Sequence, residues 1–235
     1  VFVKRKNYVA LTGAARAIKE GEAKSGDNFS VIESEEGRLT VLLCDGMGTG
    51  SGAQSDAQEA ISVLRSLLTL GFDAMDAAAM LNELYVLRGD GCFSTIDLLE
   101  VDLCTGEGAL YKWGAAPSYL KKGGTVKKIG TASPPPGLGV GEEHRAERVG
   151  LSLQRGEQLV LTTDGIPEAA CEQYLRASGP LSPRELAAGV VACASESEPD
   201  DRTAVIVQLD PASMQPHHTT RRARSVSKSG VEPHI

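Results

Sequence analysis

Three aspartates stand at the ends of short apolar runs in this chain. The runs LTVLLC and QLVLTT stop at Asp45 and Asp164, and each of these aspartates is followed directly by glycine. Asp200 stands shortly before a third run, AVIV. Runs of this length and composition predict buried strands. If the third strand is antiparallel to the other two, the three carboxylates lie together at one end of a sheet.

Such a group of carboxylates favours a metal site. Like charges at short range repel one another unless cations lie between them, and hard divalent ions such as magnesium and manganese prefer oxygen ligands. Gly46, which follows Asp45, has no Cβ and would let a ligand carbonyl approach an ion closely. Each Asp-Gly pair taken alone is better explained as an ordinary turn. The co-occurrence of all three aspartates with apolar runs is what favours a magnesium or manganese hydrolase.

Composition and spacing argue against several other classes of protein. The glycine-rich stretch in residues 46–52 lacks the Lys-Ser/Thr pair of a P-loop and the spacing of a dinucleotide fingerprint. The net charge of −7 argues against nucleic acid as the main partner. Only four histidines are present, and three of them follow residue 210, so a catalytic triad or a histidine-rich zinc site is disfavoured. The five scattered cysteines are typical of a reduced, cytoplasmic protein.

Residues 1–210 are expected to form one domain, because the apolar pattern ends near that point. Residues 211–235 are rich in Ser, Thr, His and Arg, which predicts a disordered basic tail. The alternative is that its RRAR segment binds an anionic lipid or nucleic acid. No apolar run reaches the length of a membrane span. The chain does not begin with methionine, and we interpret it as a domain of a longer protein.

The order of apolar patterns predicts an α+β domain with two sheets inside and helices outside. Two helices follow the glycine-rich stretch, and a third begins at the capping box Ser182-Pro183-Arg184-Glu185. The helix pair is marked by apolar side chains and one arginine at helical spacing: Ala57, Ile61, Leu64 and Leu68, then Ala77, Leu81, Leu84 and Arg88. Strands are predicted over residues 8–18, 29–32, 39–44, 93–103, 109–113, 118–121, 125–129, 148–153, 157–163 and 203–209. The segments 148–153 and 157–163 are expected to pair with each other.

Seven short motifs occur in the order in which they are found in one enzyme family. Together they resemble the metal-dependent PPM protein phosphatases, the phosphatase 2C group, and within it the catalytic domains of the stage II sporulation protein E family. The matching stretches cover about residues 8–210. They are SGDNFS (25–30), DGMGTG (45–50), FSTIDL (93–98), DLCTG (102–106), GAAPS (114–118), TDGI (163–166) and DDRT (200–203).

The resemblance implies a β-sandwich of two antiparallel sheets in α-β-β-α layers, with two Mn²⁺ or Mg²⁺ ions at one end. By position, Asp45 would bridge both ions and Gly46 would contribute its carbonyl. Asp164 and Asp200 would complete the metal site, and Asp27 would lie near the second ion. Eukaryotic relatives carry a histidine after the bridging Asp-Gly as a candidate general acid. Met47 occupies that position here, so the general acid is left unassigned.

The resemblance also implies a substrate and a partner. The expected activity is hydrolysis of phosphoserine on a STAS-domain anti-sigma-factor antagonist, which would activate a sporulation sigma factor. The alternatives are the same chemistry in a stress-response pathway, or a non-catalytic module that binds the STAS protein without turnover. A homodimer through the helix pair and a membrane-spanning N-terminal region of the parent protein are further expectations.

Overall fold

Ten strands and four helices make up the described part of this computed structural model, which covers residues 5–47, 50–89, 93–130, 133–138, 145–194 and 200–212. The strands are β1 (Tyr8–Ala17), β2 (Asp27–Glu33), β3 (Arg38–Gly46), β4 (Ser94–Asp102), β5 (Glu107–Trp113), β6 (Ser118–Lys122), β7 (Thr125–Ile129), β8 (Glu147–Ser152), β9 (Glu157–Thr162) and β10 (Arg202–Pro211). The helices are α1 (Gly50–Thr69), α2 (Ala74–Arg88), α3 (Glu168–Ala177) and α4 (Pro183–Ala192).

The strands form two five-stranded antiparallel sheets that face each other. The first sheet has the order β1-β10-β9-β6-β7 and the second has the order β2-β3-β4-β5-β8. Helices α1 and α2 cover the outer face of the second sheet, whereas α3 and α4 cover that of the first. The α+β prediction and the α-β-β-α layering are therefore confirmed.

The sequences of the central strands are continuous apolar runs because both faces of these strands are buried. In β10, Val205 and Val207 point into the core between the sheets, whereas Ala204 and Ile206 pack against α3 and α4. The same alternation in β3 divides its side chains between the sheet interface and the α1–α2 layer. Because successive side chains of a strand point to opposite faces of the sheet, one apolar run contributes to two hydrophobic cores.

The expected pairing of residues 148–153 with 157–163 is wrong. Strand β8 pairs with β5 at the edge of the second sheet, whereas β9 pairs with β10 and β6 inside the first. Their burial differs accordingly: β8 alternates between half-buried and exposed residues, and β9 is buried along nearly all of its length. The short connection between them therefore crosses from one sheet to the other and does not form a hairpin.

Helix α3 was absent from the sequence prediction. It is only 10 residues long, and Cys171 and Leu175 are its buried residues. Helix α2 begins after Asp73, which accepts a hydrogen bond from the Met75 N–H, and α4 begins with the predicted capping box of Ser182 and Glu185. Leu84, which was assigned to the apolar pattern of α2, is 46% exposed.

Lys121 closes the C-terminal end of α3. Its buried Nζ donates to the carbonyl oxygens of Leu175 and Ser178, each at 2.9 Å, and to that of Gly123 at 2.6 Å. A cation at this end of a helix satisfies unpaired carbonyls and interacts favourably with the helix dipole.

We expect Lys121→Met to lower the free energy of unfolding by about 2 kcal/mol, because hydrogen bonds from a charged donor to buried carbonyls are lost. Urea unfolding followed by circular dichroism measures this change. The control is Lys127→Met on the exposed side of β7, for which a change below about 0.5 kcal/mol is expected. Equal stability of the two variants would contradict the capping role.

Strand β10 extends through Pro211, which pairs with Tyr8, and the Ala212 N–H donates to the Asn7 carbonyl at 2.8 Å. The predicted disordered tail beyond Ala212 lies outside the described residues, as do Cys92 and all four histidines. Within the described ranges, no helix combines the length and hydropathy needed to cross a bilayer.

Candidate active site

The three aspartates of the sequence argument line one cavity of about 300 Å³. Asp45 is the next-to-last residue of β3, Asp164 follows β9, and Asp200 precedes β10. Strand β10 is antiparallel to β9, so Asp164 and Asp200 lie at the same end of the first sheet, as the sequence argument required. Asp45 comes to this end from the second sheet, so the expectation that all three carboxylates belong to one sheet is wrong. The remaining lining residues are Lys19, Gly46, Met47, Phe93 and Thr95.

The ionised form of Asp45 is disfavoured by its surroundings in the cavity. Burial raises its pKa to about 9, and the neighbouring charges of Asp27, Asp164 and Asp200 add to the effect. A hydrogen bond with Asp164 acts in the same direction. The ionised form of Asp45 therefore needs a cation nearby if it is to persist at neutral pH.

Asp27 lies opposite Asp45 on the neighbouring strand. The two residues are direct partners in the β2–β3 ladder, and Asp27 is 1% exposed. Its Oδ2 accepts a hydrogen bond of 2.9 Å from the Thr163 hydroxyl, whereas its Oδ1 is buried without a hydrogen-bond partner. Burial raises the pKa of Asp27 to about 6, against the lowering effect of hydrogen bonds from Thr203 and Thr163. Asp27 is not among the residues that line the cavity.

Asp200 and Asp201 have different surroundings although they are adjacent. The Asp201 carboxylate accepts hydrogen bonds from the backbone N–H groups of Lys19 at 2.9 Å and Gly26 at 2.6 Å. It therefore holds the segment between β1 and β2 in place, and it is 5% exposed. The Asp200 side chain is exposed at the cavity. Of this pair, only Asp200 is available to a ligand in the cavity.

The glycines after Asp45 and Asp164 are required for packing. A Cβ at Gly46 would lie 2.1 Å from the Ala53 carbonyl oxygen of α1, and a Cβ at Gly165 would lie 2.0 Å from the Asp201 carbonyl oxygen. Backbone can approach backbone this closely only where a side chain is missing. The first glycine sets α1 against the end of β3, and the second sets the Asp164 turn against the start of β10. From the sequence, Gly46 was expected to allow close approach of its carbonyl to an ion.

The residues present fit a divalent cation in their chemistry. Their side-chain donors are carboxylate oxygens, which suit hard ions, and one buried oxygen of Asp27 has no partner. Within the described residues, no group of three or more acidic, histidine or cysteine side chains is already arranged as a metal centre. The acids thus surround the cavity without converging on one point.

Three residues of the cavity, Lys19, Phe93 and Thr95, had no role predicted from the sequence. Lys19 follows β1 in a polar segment without any motif, and no sequence signal marks it as part of the site. Thr95 lies within the FSTIDL stretch, and the structure pairs it with Asp45 across β3 and β4. Asp45 therefore stands between Asp27 on one neighbouring strand and Thr95 on the other.

Known proteins provide an independent comparison. Residues 35–210 match the family model of stage II sporulation protein E. The stage II sporulation protein E of Bacillus subtilis (strain 168) is 31% identical in an alignment 223 residues long that covers 89% of this chain and 27% of that protein. The chain thus spans about a quarter of the length of this curated relative.

Solved structures give the same answer for the fold. The PP2C phosphatase domain of SpoIIE from Bacillus subtilis, solved with a fragment of its regulatory domain, superposes with a TM-score of 0.80 at 30% identity, covering 89% of this chain and 64% of that one. RsbX in complex with magnesium shares the fold with a TM-score of 0.69 at 16% identity, covering 89% of this chain and 99% of that one. The chain therefore belongs to the stage II sporulation protein E family, and its domain has the fold of that family's PP2C phosphatase domain.

Proposed function

We propose that this domain hydrolyses phosphoserine on a STAS-domain anti-sigma-factor antagonist and thereby activates a sporulation sigma factor. The observation that carries the proposal is the gathering of Asp45, Asp164 and Asp200 around one open cavity, with the buried Asp27 beside Asp45. Membership in the sporulation family supports the choice of pathway.

The proposed metal ligands are Asp45, Asp164 and Asp200, together with the Gly46 carbonyl oxygen. Asp45 would be shared by two Mn²⁺ or Mg²⁺ ions, and Asp27 would act near the second. Bound cations supply a water molecule of lowered pKa and neutralise charge on the phosphoryl oxygens. The raised pKa of Asp45 supports this assignment, because its carboxylate gains more from a cation than any solvated carboxylate would.

The other residues of the cavity serve the phosphorylated substrate. Lys19 lines the same cavity, and its ammonium group would offset the negative charge of a phosphoryl group held beside the acids. Attack of water on phosphorus breaks the bond to the serine oxygen and releases inorganic phosphate and a serine hydroxyl. Met47 has no exchangeable proton and cannot protonate the leaving oxygen, so the general acid is left unassigned.

Two alternatives keep the same fold. A phosphatase of a stress-response pathway would use the same cavity and differ only in its protein substrate. A non-catalytic module that binds a STAS protein would have no use for buried acids with raised pKa values. The arrangement of Asp27 and Asp45 therefore favours catalysis.

A homodimer through α1 and α2 is also proposed, with support from the exposed apolar side chains Leu70, Leu84 and Leu87.

The test is a phosphate-release assay on the 235-residue chain. Its two substrates are a purified STAS-domain anti-sigma-factor antagonist phosphorylated on serine and p-nitrophenyl phosphate. We expect turnover of both with Mn²⁺ or Mg²⁺ and none in excess chelator, because the acids alone generate no nucleophile. Added Mn²⁺ should also raise the melting temperature, since an ion that binds only the folded state stabilises it. Turnover that persists in chelator, or binding of the STAS protein without turnover in either metal, would overturn the proposal.

A further inference from the structure

A second cavity, of about 550 Å³, adjoins the candidate active site. Asp164 borders both cavities, so the two share one lining residue. The walls of the second cavity are the segment between β5 and β6, the end of β7 and the start of α3. Its volume falls within the range of roughly 300–1,000 Å³ that is common for ligand pockets. The proposed chemistry makes no use of it.

The walls of this second cavity are held in place by contacts of their own. The Gly114 N–H donates to the Ser133 hydroxyl at 3.1 Å, and a Cβ at Gly114 would lie 2.5 Å from Pro135. Gly114 has a φ of 64°, which favours glycine at this position. On the same wall, the Thr162 hydroxyl donates to the Pro117 carbonyl at 2.9 Å. The cavity is therefore formed before any ligand arrives.

The lining of the second cavity combines apolar and polar surface, and its charged side chains are Lys128, Glu168 and Asp164. Ala115, Ala116, Pro117, Ile166 and Pro167 contribute apolar surface. Lys128 Nζ and Glu168 Oε2 lie 2.5 Å apart and form a salt bridge at the exposed rim of the cavity. A charged side chain entering the cavity would compete with that pair, whereas an apolar side chain would be removed from water without disturbing it.

We propose that the second cavity binds an uncharged apolar side chain of the residue next to the phosphoserine in the substrate. The inference rests on the proposed function and adds a sequence preference to it. Because Asp164 borders both cavities and consecutive residues of an extended chain are about 3.3 Å apart, a residue next to a phosphoserine held at Asp164 is within reach of the second cavity. Leucine or methionine suits its lining.

Two synthetic phosphoserine peptides test the preference. One has leucine on both sides of the phosphoserine, and the other has glycine there, with all other positions identical. We expect kcat/KM to be about tenfold higher for the leucine peptide, since one side chain enters a partly open apolar site. Both peptides and p-nitrophenyl phosphate are assayed with Mn²⁺.

A cavity-filling variant locates the effect. In Ala116→Leu the new side chain occupies the second cavity, so we expect the leucine preference to fall to about twofold or less. Hydrolysis of p-nitrophenyl phosphate, which has no flanking residues, should stay unchanged. The control is Ala188→Leu, which adds the same atoms on the exposed side of α4 and should keep the preference.

The outcomes separate this inference from the proposed function. Absence of p-nitrophenyl phosphate hydrolysis in the wild-type chain with either metal would overturn both. Normal hydrolysis of that ester with equal kcat/KM for the two peptides would overturn the inference alone, even if Ala116→Leu did not fold. A leucine preference that survives in folded Ala116→Leu would place the selecting surface elsewhere and also overturn it.

Discussion

Replacement of Asp45 by asparagine is expected to lower the rate of phosphate release by about a thousandfold. The proposed role of Asp45 is to hold two cations at once, and a neutral amide attracts cations far less than a carboxylate. The rate is measured with Mn²⁺ on p-nitrophenyl phosphate under saturating metal. A rate within about tenfold of the wild type would rule out the bridging role.

The same substitution should leave the fold at least as stable when no metal is present. With its pKa raised to about 9, Asp45 is uncharged at neutral pH when no cation is present, so the substitution replaces one neutral group by another among Asp27, Asp164 and Asp200. We therefore expect the free energy of unfolding in chelator to be unchanged or higher in Asp45→Asn. Added Mn²⁺ should no longer raise the melting temperature to the wild-type extent. This combination distinguishes loss of a ligand from loss of structure.

Asp73→Asn is the matched control for this experiment. Asp73 is the N-cap of α2, and asparagine caps helices as well as aspartate does. The substitution thus removes one aspartate charge without touching the cavity. Activity and melting temperature should both stay near the wild-type values.

The largest expected effect on stability is at Lys112, whose ion pair with Asp97 is buried inside the domain. Both side chains are 1% exposed, and the Lys112 Nζ donates to Asp97 Oδ1 and, at 2.9 Å, to the Ser118 hydroxyl. Asp97 and Lys112 face each other across β4 and β5, whereas Ser118 begins β6 in the other sheet. The pair therefore joins the two sheets.

We expect Lys112→Met to cost about 3–5 kcal/mol in the free energy of unfolding, because Asp97 is left buried without a counter-charge. Burial already raises the pKa of Asp97 even with Lys112 present. The double variant Lys112→Met/Asp97→Leu should recover most of the loss, since no uncompensated charge is left. Lys122→Met, at a side chain that is 55% exposed, is the control, and urea unfolding is the measurement. A loss below about 1 kcal/mol in the single variant would show that water reaches the pair.

Much of the fold was predictable from local sequence. The α1–α2 pair, the α4 capping box and the buried runs of β3, β9 and β10 all follow from short-range periodicity and cap residues. The short helix α3 was missed because one pair of buried residues, Cys171 and Leu175, gives too little periodic signal. The exposure of Leu84 was missed because α2 is apolar on more than one face and its sequence does not say which face packs.

By itself the sequence determined that the chain has alternating two-sided strands, covering helices, and aspartates at three strand ends. Only the tertiary structure decided that β8 and β9 belong to different sheets, since strand pairing depends on residues distant in the chain. It also separated Asp200 from Asp201, brought Lys19 into the cavity, and assigned Gly46 to the contact with α1. These features depend on contacts between residues that are distant in the chain, and the sequence near each residue does not determine those contacts.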